Sequence, residues 1–598
     1  MIQKFEILKS TFGHDKFRSF QEEAVDTILH QRDLLLILPT GGGKSLCYQL
    51  PSLMMGGVTI VISPLIALMH DQVLALKANG INAHMMSSMQ TSEEIDLIRY
   101  ELLQGDVKLL YVAPERFSTP SFLSLLKQLR LNFFVIDEAH CVSEWGHEFR
   151  DDYRKLDLIR EHFPSIGIAA FTATATPKVQ HDISTALRLN VPVEIRGKIF
   201  RENLHVSVEP RIKDGKAQLL DFLKNFKNDS GIIYAFSRKQ TESLAQYLQT
   251  QGIKSRAFHA GLPNHVKEET FREFVHDEIQ VVVATIAFGM GIDKSNIRFV
   301  VHMSLPKTIE NYYQEIGRAG RDGLDSEVLL LYSGSDMMMQ REFIDQLEES
   351  PYKQNAFNKL ELIARYASAE ECRHQYIAQY FEDELAVCGN KCDNCSSTDV
   401  KKADISVEAQ KLLSSVYRTG QRFGHSYVID VLRGSTVQKI LDNGHDELSV
   451  YGIGKEKSKA YWDVVMQRLM ELGALKRGEF RNLMIDAIGM KILKKEQIVE
   501  IKEERLNVKA KKERVSHHED VNLDQGSFEA LRALRSEIAK EEGKPAYIVF
   551  GDKTLKEMAN TLPQSKEAML DVNGVGEVKF ERYGDKFLSL CIDLKMEK

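Results

Sequence analysis

The sequence lacks a long apolar run, and cysteine is rare in it. No run approaches the roughly 20 apolar residues that cross a bilayer, and the N-terminal stretch MIQKFEILKS has no apolar signal-peptide core. The 598 residues include only seven cysteines, and three of these (Cys47, Cys141 and Cys591) are scattered. Scattered cysteines argue against a disulfide framework. We therefore expect a cytoplasmic protein that makes no membrane contact.

A strong net charge is lacking too. The chain carries 78 basic and 85 acidic side chains, a net charge of −7, so any contact with nucleic acid must come from local basic patches. Hydrophobic residues make up 43% and charged residues 27%, which is typical of globular proteins. The chain is too long for one core, and we expect about three to five domains.

Short apolar runs alternate with amphipathic helical patterns in the first two hundred residues. This alternation is typical of a parallel α/β sheet. It restarts after residue 230, so we predict two α/β lobes with a cleft between them. The predicted strands are 34–38, 58–63, 107–112, 133–137 and 168–174 in lobe 1, and 231–236, 254–260, 281–286, 299–303 and 327–332 in lobe 2.

The stretch PTGGGKS at 39–45 follows the first predicted strand and precedes a helical pattern. Glycines at this position let backbone N–H groups approach phosphate oxygens at a helix N-terminus. Lys44 can reach the β- and γ-phosphates of a nucleotide, and Ser45 can hold Mg²⁺. Leu38 stands where the strict phosphate-loop pattern has its first glycine, so a simple glycine-rich turn is the alternative.

The tetrapeptide DEAH at 137–140 comes at the end of another predicted strand. Asp137 can hold Mg²⁺ through water, and Glu138 can orient the water that attacks a γ-phosphate. Taken alone, such a short motif is more often a surface acidic pair. Together with PTGGGKS at 39–45, it predicts ATP hydrolysis.

Two arginines three residues apart, Arg318 and Arg321, lie within YYQEIGRAGRDG at 312–323. We predict that they share one face of a short helix. An arginine inserted across a cleft speeds the hydrolysis of a γ-phosphate, because it stabilises the charge of the transition state. A solvated basic face is the alternative. With the phosphate loop in lobe 1, an arginine pair in lobe 2 favours insertion across the cleft.

The ordered motifs resemble those of superfamily 2 helicases over about residues 10–335. They are PTGGGKS, VISPLIALMHDQ (61–72), DEAH, FTATATP (171–177), VVVATIAFGMGIDK (281–294) and QEIGRAGRDG. The resemblance implies ATP and Mg²⁺ as cofactors, with Gln21 of FRSFQEEAV reading the adenine edge. The implied nucleotide contacts are Arg18, Gln21, Thr40, Gly41, Gly42, Gly43, Lys44, Ser45, Asp137 and Gln314, and the implied catalytic residues are Lys44, Asp137, Glu138, Arg318 and Arg321.

An aromatic-rich stretch, CVSEWGHEFRDDY at 141–153, follows DEAH and resembles the RecQ family of DNA helicases rather than RNA helicases. Trp145 and Phe149 can stack on the bases of a single strand, and Arg150 can pair with a phosphate. The resemblance implies a DNA contact from His147 as well. The alternative is that Trp145 belongs to the core.

Four cysteines, Cys372, Cys388, Cys392 and Cys395, follow the spacing C-x15-C-x3-C-x2-C, which fits the zinc module of the RecQ family. Four thiolates satisfy tetrahedral Zn²⁺ and leave no open position, so we predict one structural ion. We expect the last cysteines to lie around the turn GNKCDNC and Cys372 to come from the helix that precedes this turn. His374 is close in sequence but is left out, since the cysteines fill the coordination shell. Coincidental buried cysteines are the alternative.

The RecQ resemblance continues towards the C-terminus. Residues 406–435 and 446–475 resemble the winged-helix domain of the family, in which Arg433, Ser435 and Lys439 can hold duplex phosphates. An interaction-only helical domain is the alternative.

Residues 531–588 resemble the helicase-and-RNase-D C-terminal (HRDC) domain, and the turn NGVGEVK offers backbone N–H groups to a phosphate. The charged stretch at 491–519 is more typical of a solvated tether than of a binding surface. Plain surface roles are equally open for the candidate single-strand contacts, which are Lys544, Tyr547, Lys553 and Lys579.

We therefore predict a multidomain α/β protein with two RecA-like parallel α/β lobes, a helical zinc-binding module, a winged-helix (RQC) domain and a small all-helical HRDC domain. The predicted domains are lobe 1 at 1–205, lobe 2 at 206–335, the zinc-binding module at 336–402, the winged helix at 403–490, a charged linker at 491–522 and the HRDC domain at 523–598.

The resemblance implies an ATP-dependent 3′–5′ DNA helicase that acts in recombination, repair and replication. Its expected partners are single-stranded, duplex and forked DNA and a single-strand DNA-binding protein, and we expect a cytoplasmic, nucleoid-associated monomer. An ATP-dependent RNA helicase or remodeller is the alternative, but it should lack the aromatic loop, the zinc module and the winged helix. A non-enzymatic scaffold would need Lys44, Glu138 and Arg321 all to be idle.

Overall fold

The structure is a computed structural model of the chain. It describes residues 2–87, 90–143, 145, 150–288, 294–396, 402–478, 482–506 and 524–596. The described residues fall into two compact units. The first unit holds those within Met1–Ala367, Glu371–Cys395 and His517–Lys598, and the second holds those within Ser368–Glu370 and Ser396–Ser516.

Lobe 1 is built on a parallel seven-stranded sheet with the strand order β3-β4-β2-β5-β6-β1-β7. Leu35 and Ile37 of β1 lie in one core cluster, and Leu34 and Leu36 lie in the other, so both faces of the sheet are covered. The strands are β1 (Leu34–Ile37), β2 (Val58–Ile62), β3 (Ala83–Met86), β4 (Leu109–Val112), β5 (Leu131–Ile136), β6 (Ile168–Thr172) and β7 (Val193–Arg196). The helices are α1 (Ile2–Ser10), α2 (Gln21–Leu29), α3 (Lys44–Met54), α4 (Ile66–Ala78), α5 (Ser92–Gln104), α6 (Pro120–Leu126), α7 (Asp151–Arg154), α8 (Leu158–His162) and α9 (Pro177–Ala186).

Lobe 2 repeats this plan with a parallel six-stranded sheet in the order β10-β11-β9-β12-β13-β8. Val281 and Val283 of β11 enter one core cluster, and Val282 and Ala284 enter another on the opposite face. The strands are β8 (Leu204–Pro210), β9 (Ser230–Tyr234), β10 (Ser255–Phe258), β11 (Val281–Ala284), β12 (Ile297–His302) and β13 (Ser326–Tyr332). The helices are α10 (Lys216–Leu223), α11 (Arg238–Thr250), α12 (Asn264–Val275) and α13 (Ile309–Ile316).

The predicted strands are all present in these two sheets, but three strands were not predicted. The missed strands are β3, β7 and β8, and each lies at an edge of its sheet. The sequence of β3 is AHMM and that of β7 is VEIR, and both contain half-exposed or exposed residues. Because an edge strand is covered less completely than a central one, these three sequences lack a continuous apolar run, although the fourth edge strand, β10, was predicted.

A helical segment after lobe 2, at residues 334–396, carries the four clustered cysteines and is called the cysteine module below. Its apolar side chains share one core cluster with β8 and α13 of lobe 2. Tyr366 of the module packs against Tyr312 of lobe 2, with ring centroids 5.3 Å apart. The helices are α14 (Gly334–Asp345), α15 (Pro351–Ser368), α16 (Arg373–Tyr380) and α17 (Asp393–Ser396).

The second unit is a helical domain with two small antiparallel sheets, β14–β17 and β15–β16. Its core surrounds Trp462, whose indole N–H donates to the Gly454 carbonyl at 2.8 Å. The helices are α18 (Ser406–Arg418), α19 (His425–Leu432), α20 (Gln438–Asp442), α21 (Lys459–Glu471), α22 (Ala487–Leu493) and α23 (Glu503–Leu506). The strands are β14 (Lys402–Asp404), β15 (Leu475–Arg477), β16 (Leu483–Ile485) and β17 (Glu500–Lys502).

The prediction of a tether from residue 491 is wrong for its first part. Residues 491–506 include the end of α22, β17 and α23, and β17 pairs with β14. Val499 and Ile501 are fully buried, because apolar and charged residues alternate here along a strand with one covered face. The rest of the predicted tether, 507–519, lies outside the described residues.

Four predicted domain boundaries cut through elements of the structure. The boundary at 205 falls within β8, and that at 335 falls within α14. The boundary at 402 falls within β14, and that at 490 falls within α22. Lobe 1 ends between β7 and β8, so the polypeptide passes to the second sheet at residues 197–203.

The C-terminal domain, residues 524–596, is helical as predicted and contacts both lobes. The backbone N–H of Gly574 donates to the Gly13 carbonyl of lobe 1 at 2.9 Å. The guanidinium of Arg535 lies 3.9 Å from Asp277 of lobe 2 and 2.7 Å from Asp552. The helices are α24 (Gln525–Glu541), α25 (Ala546–Val549), α26 (Asp552–Thr561), α27 (Lys566–Leu570), α28 (Glu577–Lys579) and α29 (Asp585–Met596).

None of the helices in the described part of the chain is both long enough and apolar enough to span a membrane.

Candidate active site and metal centre

The loop PTGGGKS connects the end of β1 to the start of α3, as predicted. Gly41 and Gly43 have φ values of +81° and +78°, a left-handed conformation that favours glycine. A Cβ atom at Gly43 would collide with the amide of Gln21. The loop therefore needs glycine both for its conformation and for its closeness to α2. Its backbone N–H groups lie at the N-terminus of α3, where a phosphate is favoured.

Arg18 and Gln21 lie directly beside this loop. The side-chain amide of Gln21 donates to the Gly43 carbonyl at 3.1 Å and accepts from the backbone N–H of Arg18 at 2.8 Å. The Arg18 guanidinium donates to the Gly41 carbonyl at 2.7 Å. The structure thus brings both of these predicted nucleotide contacts to the phosphate loop.

Asp137 and Glu138 follow β5 at the same edge of the sheet, since the carboxyl ends of parallel strands meet there. Burial and the charge of Glu138 raise the pKa of Asp137 to about 7, and Lys44 opposes the shift. The Ser45 hydroxyl and these two carboxylates are hard oxygen ligands, which Mg²⁺ prefers. A divalent cation would also relieve the repulsion between two adjacent carboxylates, so the residues fit Mg²⁺.

The two predicted arginines lie in a turn after α13 and not on a helix. α13 ends at Ile316, and beyond it Gly320 and Gly323 adopt φ values of +60° and +84°, which a continuous α-helix does not contain. Arg318 is 3% exposed, and Gln314 lies one turn earlier in α13. The prediction of a short helix is therefore wrong, because the glycines of GRAGRDG outweigh the helical pattern.

The arginine turn faces the phosphate loop across the cleft between the lobes. A Cβ atom at Gly41 would lie 3.3 Å from the Cα of Arg321, and a Cβ atom at Gly317 would lie 3.1 Å from the Cβ of Thr40. Two glycines thus permit the backbones of the lobes to approach each other at this point. A nucleotide held by the loop would therefore be contacted from lobe 2.

Arg201, which was not predicted, holds the arginine turn in place. Its guanidinium donates to the carbonyls of Gly317 at 3.0 Å and Gly320 at 2.5 Å. Burial lowers the pKa of Arg201 to about 10, and the charges of Arg321 and Arg18 contribute to the shift. Arg201 lies in the connection between β7 and β8, where no apolar pattern or motif singles it out.

The aromatic-rich stretch after DEAH is described only in part. His147 and Phe149 lie outside the described residues, so their predicted DNA contacts stay predictions. Trp145 is half-buried against the core of lobe 1, and the Lys178 ammonium lies 3.0 Å from the centroid of its ring. The Arg150 guanidinium donates to the Pro64 carbonyl at 2.9 Å. In this structure both side chains are held against lobe 1.

The four predicted cysteines come together in the cysteine module. Their Sγ atoms all lie within 4.8 Å of one another. Four sulfurs bound tetrahedrally to zinc at about 2.3 Å would be about 3.8 Å apart, so the cluster has the size of a zinc site. Cys372 is the N-cap residue of α16, the helix that precedes the other three cysteines, and its Sγ accepts from the backbone N–H of Cys388 at 3.3 Å.

His374 lies outside the cluster, as predicted. Its Nε2 atom is 3.1 Å from the Leu204 carbonyl and 3.0 Å from the Lys391 carbonyl, so it joins the module to lobe 2 instead. Zn²⁺ with four thiolates has no open position, and such a site stabilises the fold.

The predicted DNA contacts of the second unit lie around the end of α19 and on α20. The Arg433 guanidinium donates to the Lys457 carbonyl at 3.3 Å, and the Ser435 backbone N–H donates to Asp430. Lys439 is exposed, with its ammonium 5.9 Å from the centroid of the Tyr427 ring. Their DNA contacts stay predictions.

The residues of the C-terminal domain that were predicted to contact DNA or phosphate differ in exposure, and one of them contacts lobe 1. The N–H of Gly574, in the turn NGVG, donates to lobe 1, so the prediction that this turn offers that group to a phosphate is wrong here. The Lys544 ammonium donates to Glu542 at 2.6 Å. Tyr547 and Lys579 are half-buried, and Lys553 is exposed.

Known proteins resemble the whole chain. Family models match a DEAD/DEAH box helicase at 18–183, a helicase conserved C-terminal domain at 215–323, RecQ zinc-binding at 334–396, an RQC domain at 399–510 and an HRDC domain at 524–591. The ATP-dependent DNA helicase RecQ of Haemophilus influenzae is 44% identical over 98% of this chain and 96% of its own length. The chain belongs to the RecQ family.

The RecQ family membership is supported by further relatives. ATP-dependent DNA helicase RecQ of Pasteurella multocida is 44% identical over 98% of this chain and 93% of its own length, and that of Bacillus subtilis is 41% identical over 97% of each. The predicted family and fold class are thereby confirmed. The RQC match extends to residue 510, in agreement with the folded segment at 491–506.

Proposed function

We propose that this protein is an ATP-dependent DNA helicase that moves 3′ to 5′ along one strand and separates the duplex ahead of it. The observation that carries the proposal is the nucleotide site, which is completed where the two lobes meet: Gly41 lies against the backbone of Arg321, and Thr40 lies against Gly317. Its RecQ relatives are named ATP-dependent DNA helicases and match the chain over almost its full length.

The charges at this interface explain how ATP turnover can move the lobes. Lys44 neutralises the β- and γ-phosphates, and Glu138 orients the attacking water. Bound Mg²⁺ adds charge neutralisation at the same phosphates, and Ser45 and Asp137 are the residues that would hold it. Arg321 stabilises the charge that develops on the γ-phosphate. When that phosphate leaves, lobe 2 loses an anionic partner, so the cleft can open.

The DNA contacts follow from the same proposal. Trp145 and Arg150 bind the single strand next to the DEAH motif, where the strand competes with Lys178 for the indole face and with the Pro64 carbonyl for the guanidinium. Arg433 and Lys439 hold duplex phosphates, and their exposed or half-exposed positions in the second unit support this role. Lys544, at the surface of the C-terminal domain, adds a single-strand contact.

The proposal also covers the DNA substrates, the protein partner, the oligomeric state and the cellular processes. The substrates are single-stranded and forked DNA, and a single-strand DNA-binding protein is a partner. The enzyme acts as a monomer in the nucleoid, in recombination, repair and replication. These statements rest on the family resemblance, and mass measurement in solution with and without DNA tests the monomer.

A strand-displacement assay tests the proposal. DNA duplexes with a 3′ tail, with a 5′ tail and with no tail are compared with an RNA duplex that has a 3′ tail. We expect ATP-dependent displacement from 3′-tailed DNA and none by the Glu138→Gln variant, because the attacking water is no longer oriented. Displacement from 5′-tailed DNA alone would contradict the polarity, and displacement of RNA but not DNA would favour an RNA helicase.

A further inference from the structure

One lysine of the cysteine module touches both lobes. Lys359 lies in α15, and its side chain is 13% exposed. Its ammonium donates to the backbone carbonyl of Trp145 in lobe 1 at 2.9 Å. The same ammonium lies 2.8 Å from the carboxylate of Glu310 in lobe 2. A lysine ammonium has three donors, so it can hold both partners at once.

The Glu310 end of this contact is buried and fixed. Its side chain is 7% exposed, and one carboxylate oxygen also accepts from the Tyr380 hydroxyl at 2.7 Å. Burial raises the pKa of Glu310, but Lys359 and Tyr380 outweigh burial and leave the pKa below its ordinary value. The carboxylate is therefore charged and stays paired with Lys359.

Glu310 stands at the beginning of the helix that leads to the arginine turn. α13 spans Ile309–Ile316, and Gly317 follows it against Thr40 of the phosphate loop. Eight helical residues span about 12 Å, so one short helix links Glu310 to the arginine turn. At the other end of the same helix, the Arg201 guanidinium donates to the Gly317 carbonyl.

The Trp145 end of this contact lies five residues after DEAH in the sequence. The backbone N–H of Trp145 donates to the Ser143 hydroxyl at 3.1 Å, and the indole lies under Lys178. A base that stacks on the indole must displace Lys178 from its face. The carbonyl that accepts from Lys359 belongs to the same residue, so this contact lies next to the face on which a base would stack.

We propose that Lys359 is a positioning residue that connects Trp145 to α13, so that binding of a DNA strand at Trp145 changes the position of the arginine turn. The inference deepens the proposed function and rests on it. It assigns a role in DNA-stimulated ATP hydrolysis to a residue of the cysteine module, which contributes no side chain to the nucleotide site.

Two other possible roles for Lys359 predict different experimental results. A direct contact with a DNA phosphate would lower DNA affinity and would reduce the salt dependence of binding by about one counterion. If Lys359 contacts a phosphate directly, the Glu310→Gln change should not affect DNA binding, because the buried Glu310 carboxylate does not touch a phosphate. A purely structural ion pair would lower the melting temperature and would change basal and DNA-stimulated hydrolysis equally.

The experiment measures ATP turnover in the full chain, with and without a saturating single strand, for Lys359→Met, Glu310→Gln, the double variant and Lys359→Arg. We expect each single variant to lower DNA-stimulated turnover by about 3- to 30-fold while basal turnover changes less than about twofold. The double variant should resemble a single variant, since both changes break one connection. Lys359→Arg should restore much of the stimulation.

Lys353→Met is the matched control. Lys353 lies on the same helix, its side chain is 11% exposed, and it pairs with Glu349 at 2.7 Å. It also donates to the Asp345 carbonyl, so all these partners lie within residues 334–396. Its loss should leave DNA stimulation unchanged, even if the melting temperature falls.

The outcomes separate the inference from the proposed function. A wild-type enzyme whose ATP turnover no DNA stimulates would contradict the proposed function. Normal stimulation in Lys359→Met, beside a stimulated wild type, would overturn the inference alone. Additive losses in the double variant would also overturn it, as would a loss confined to DNA affinity with a lower salt dependence.

Discussion

The four-cysteine centre and the nucleotide site are built in opposite ways. The cysteines come from one stretch, Cys372–Cys395, and lie within one module. The nucleotide site joins the phosphate loop of lobe 1 to the turn of Arg318 and Arg321 in lobe 2. A local site keeps its geometry when the rest of the molecule moves, whereas a shared site changes whenever the lobes move.

This difference matches what each site must do. A closed metal centre stabilises a small module and needs no movement. A nucleotide site between two lobes can convert the loss of a phosphate into a change of distance, because opposite charges sit on separate bodies. The comparison predicts that damage at the cysteines stays local and affects folding, while damage at the cleft affects turnover and leaves the fold intact.

The largest expected effect follows from Cys392→Ser. Structural Zn²⁺ contributes on the order of 10–16 kcal/mol of apparent binding free energy in small zinc-finger peptides, and losing one thiolate forfeits much of it. We expect metal analysis to fall from about one zinc per chain to a small fraction of that. Limited proteolysis should cut within residues 371–396, while ATP binding by lobe 1 persists.

Cys591→Ser is the control for this change. Cys591 is also a buried cysteine but lies in the C-terminal domain, away from the cluster. It should retain zinc and the wild-type proteolysis pattern. A fully active, zinc-free Cys392→Ser protein would show that the four cysteines are ordinary buried thiols.

A smaller effect is expected from Arg201→Ala, which tests whether the arginine turn of lobe 2 must be held in place for turnover. Loss of the guanidinium leaves the Gly317 and Gly320 carbonyls without their donor, so the arginine turn loosens. A displacement near 1 Å can lower a rate by about 100-fold, and we expect turnover to fall by about 10- to 100-fold. ATP affinity should change less, because Lys44 and the loop amides remain.

Arg256→Ala serves as the control. Arg256 also belongs to lobe 2, but it forms an exposed ion pair with Glu273 at 2.9 Å, and exposed pairs contribute little to stability. Turnover should stay at the wild-type level. An equal loss in both variants would indicate a general effect on lobe 2 and would contradict the role of Arg201.

The parts that the sequence predicts well are those with a local signal. Central strands such as β1 and β11 are continuous apolar runs, because both faces of a parallel sheet are covered. The phosphate loop, DEAH and the cysteine spacing each lie within a short stretch whose residue types fit one chemistry. These features could be located without knowing how distant segments pack.

The features that the sequence does not predict depend on contacts between residues that are far apart in the chain. Arg201 and Lys359 act through backbone carbonyls of residues more than a hundred positions away, and no local pattern marks them. The segment around β17 was taken for a tether because of its charge, although the alternation of Val499 and Ile501 with charged residues is a strand signal.

The most direct test of the shared nucleotide site is single-turnover hydrolysis by Arg321→Ala, measured beside ATP binding and beside Lys44→Ala. Arginine fingers contribute about 10³- to 10⁵-fold to turnover, so we expect a loss of that order with ATP affinity nearly unchanged, since Arg321 acts on charge that develops during the reaction. Lys44→Ala should lose turnover as well. Turnover by Arg321→Ala within about tenfold of wild type would contradict a site completed by lobe 2.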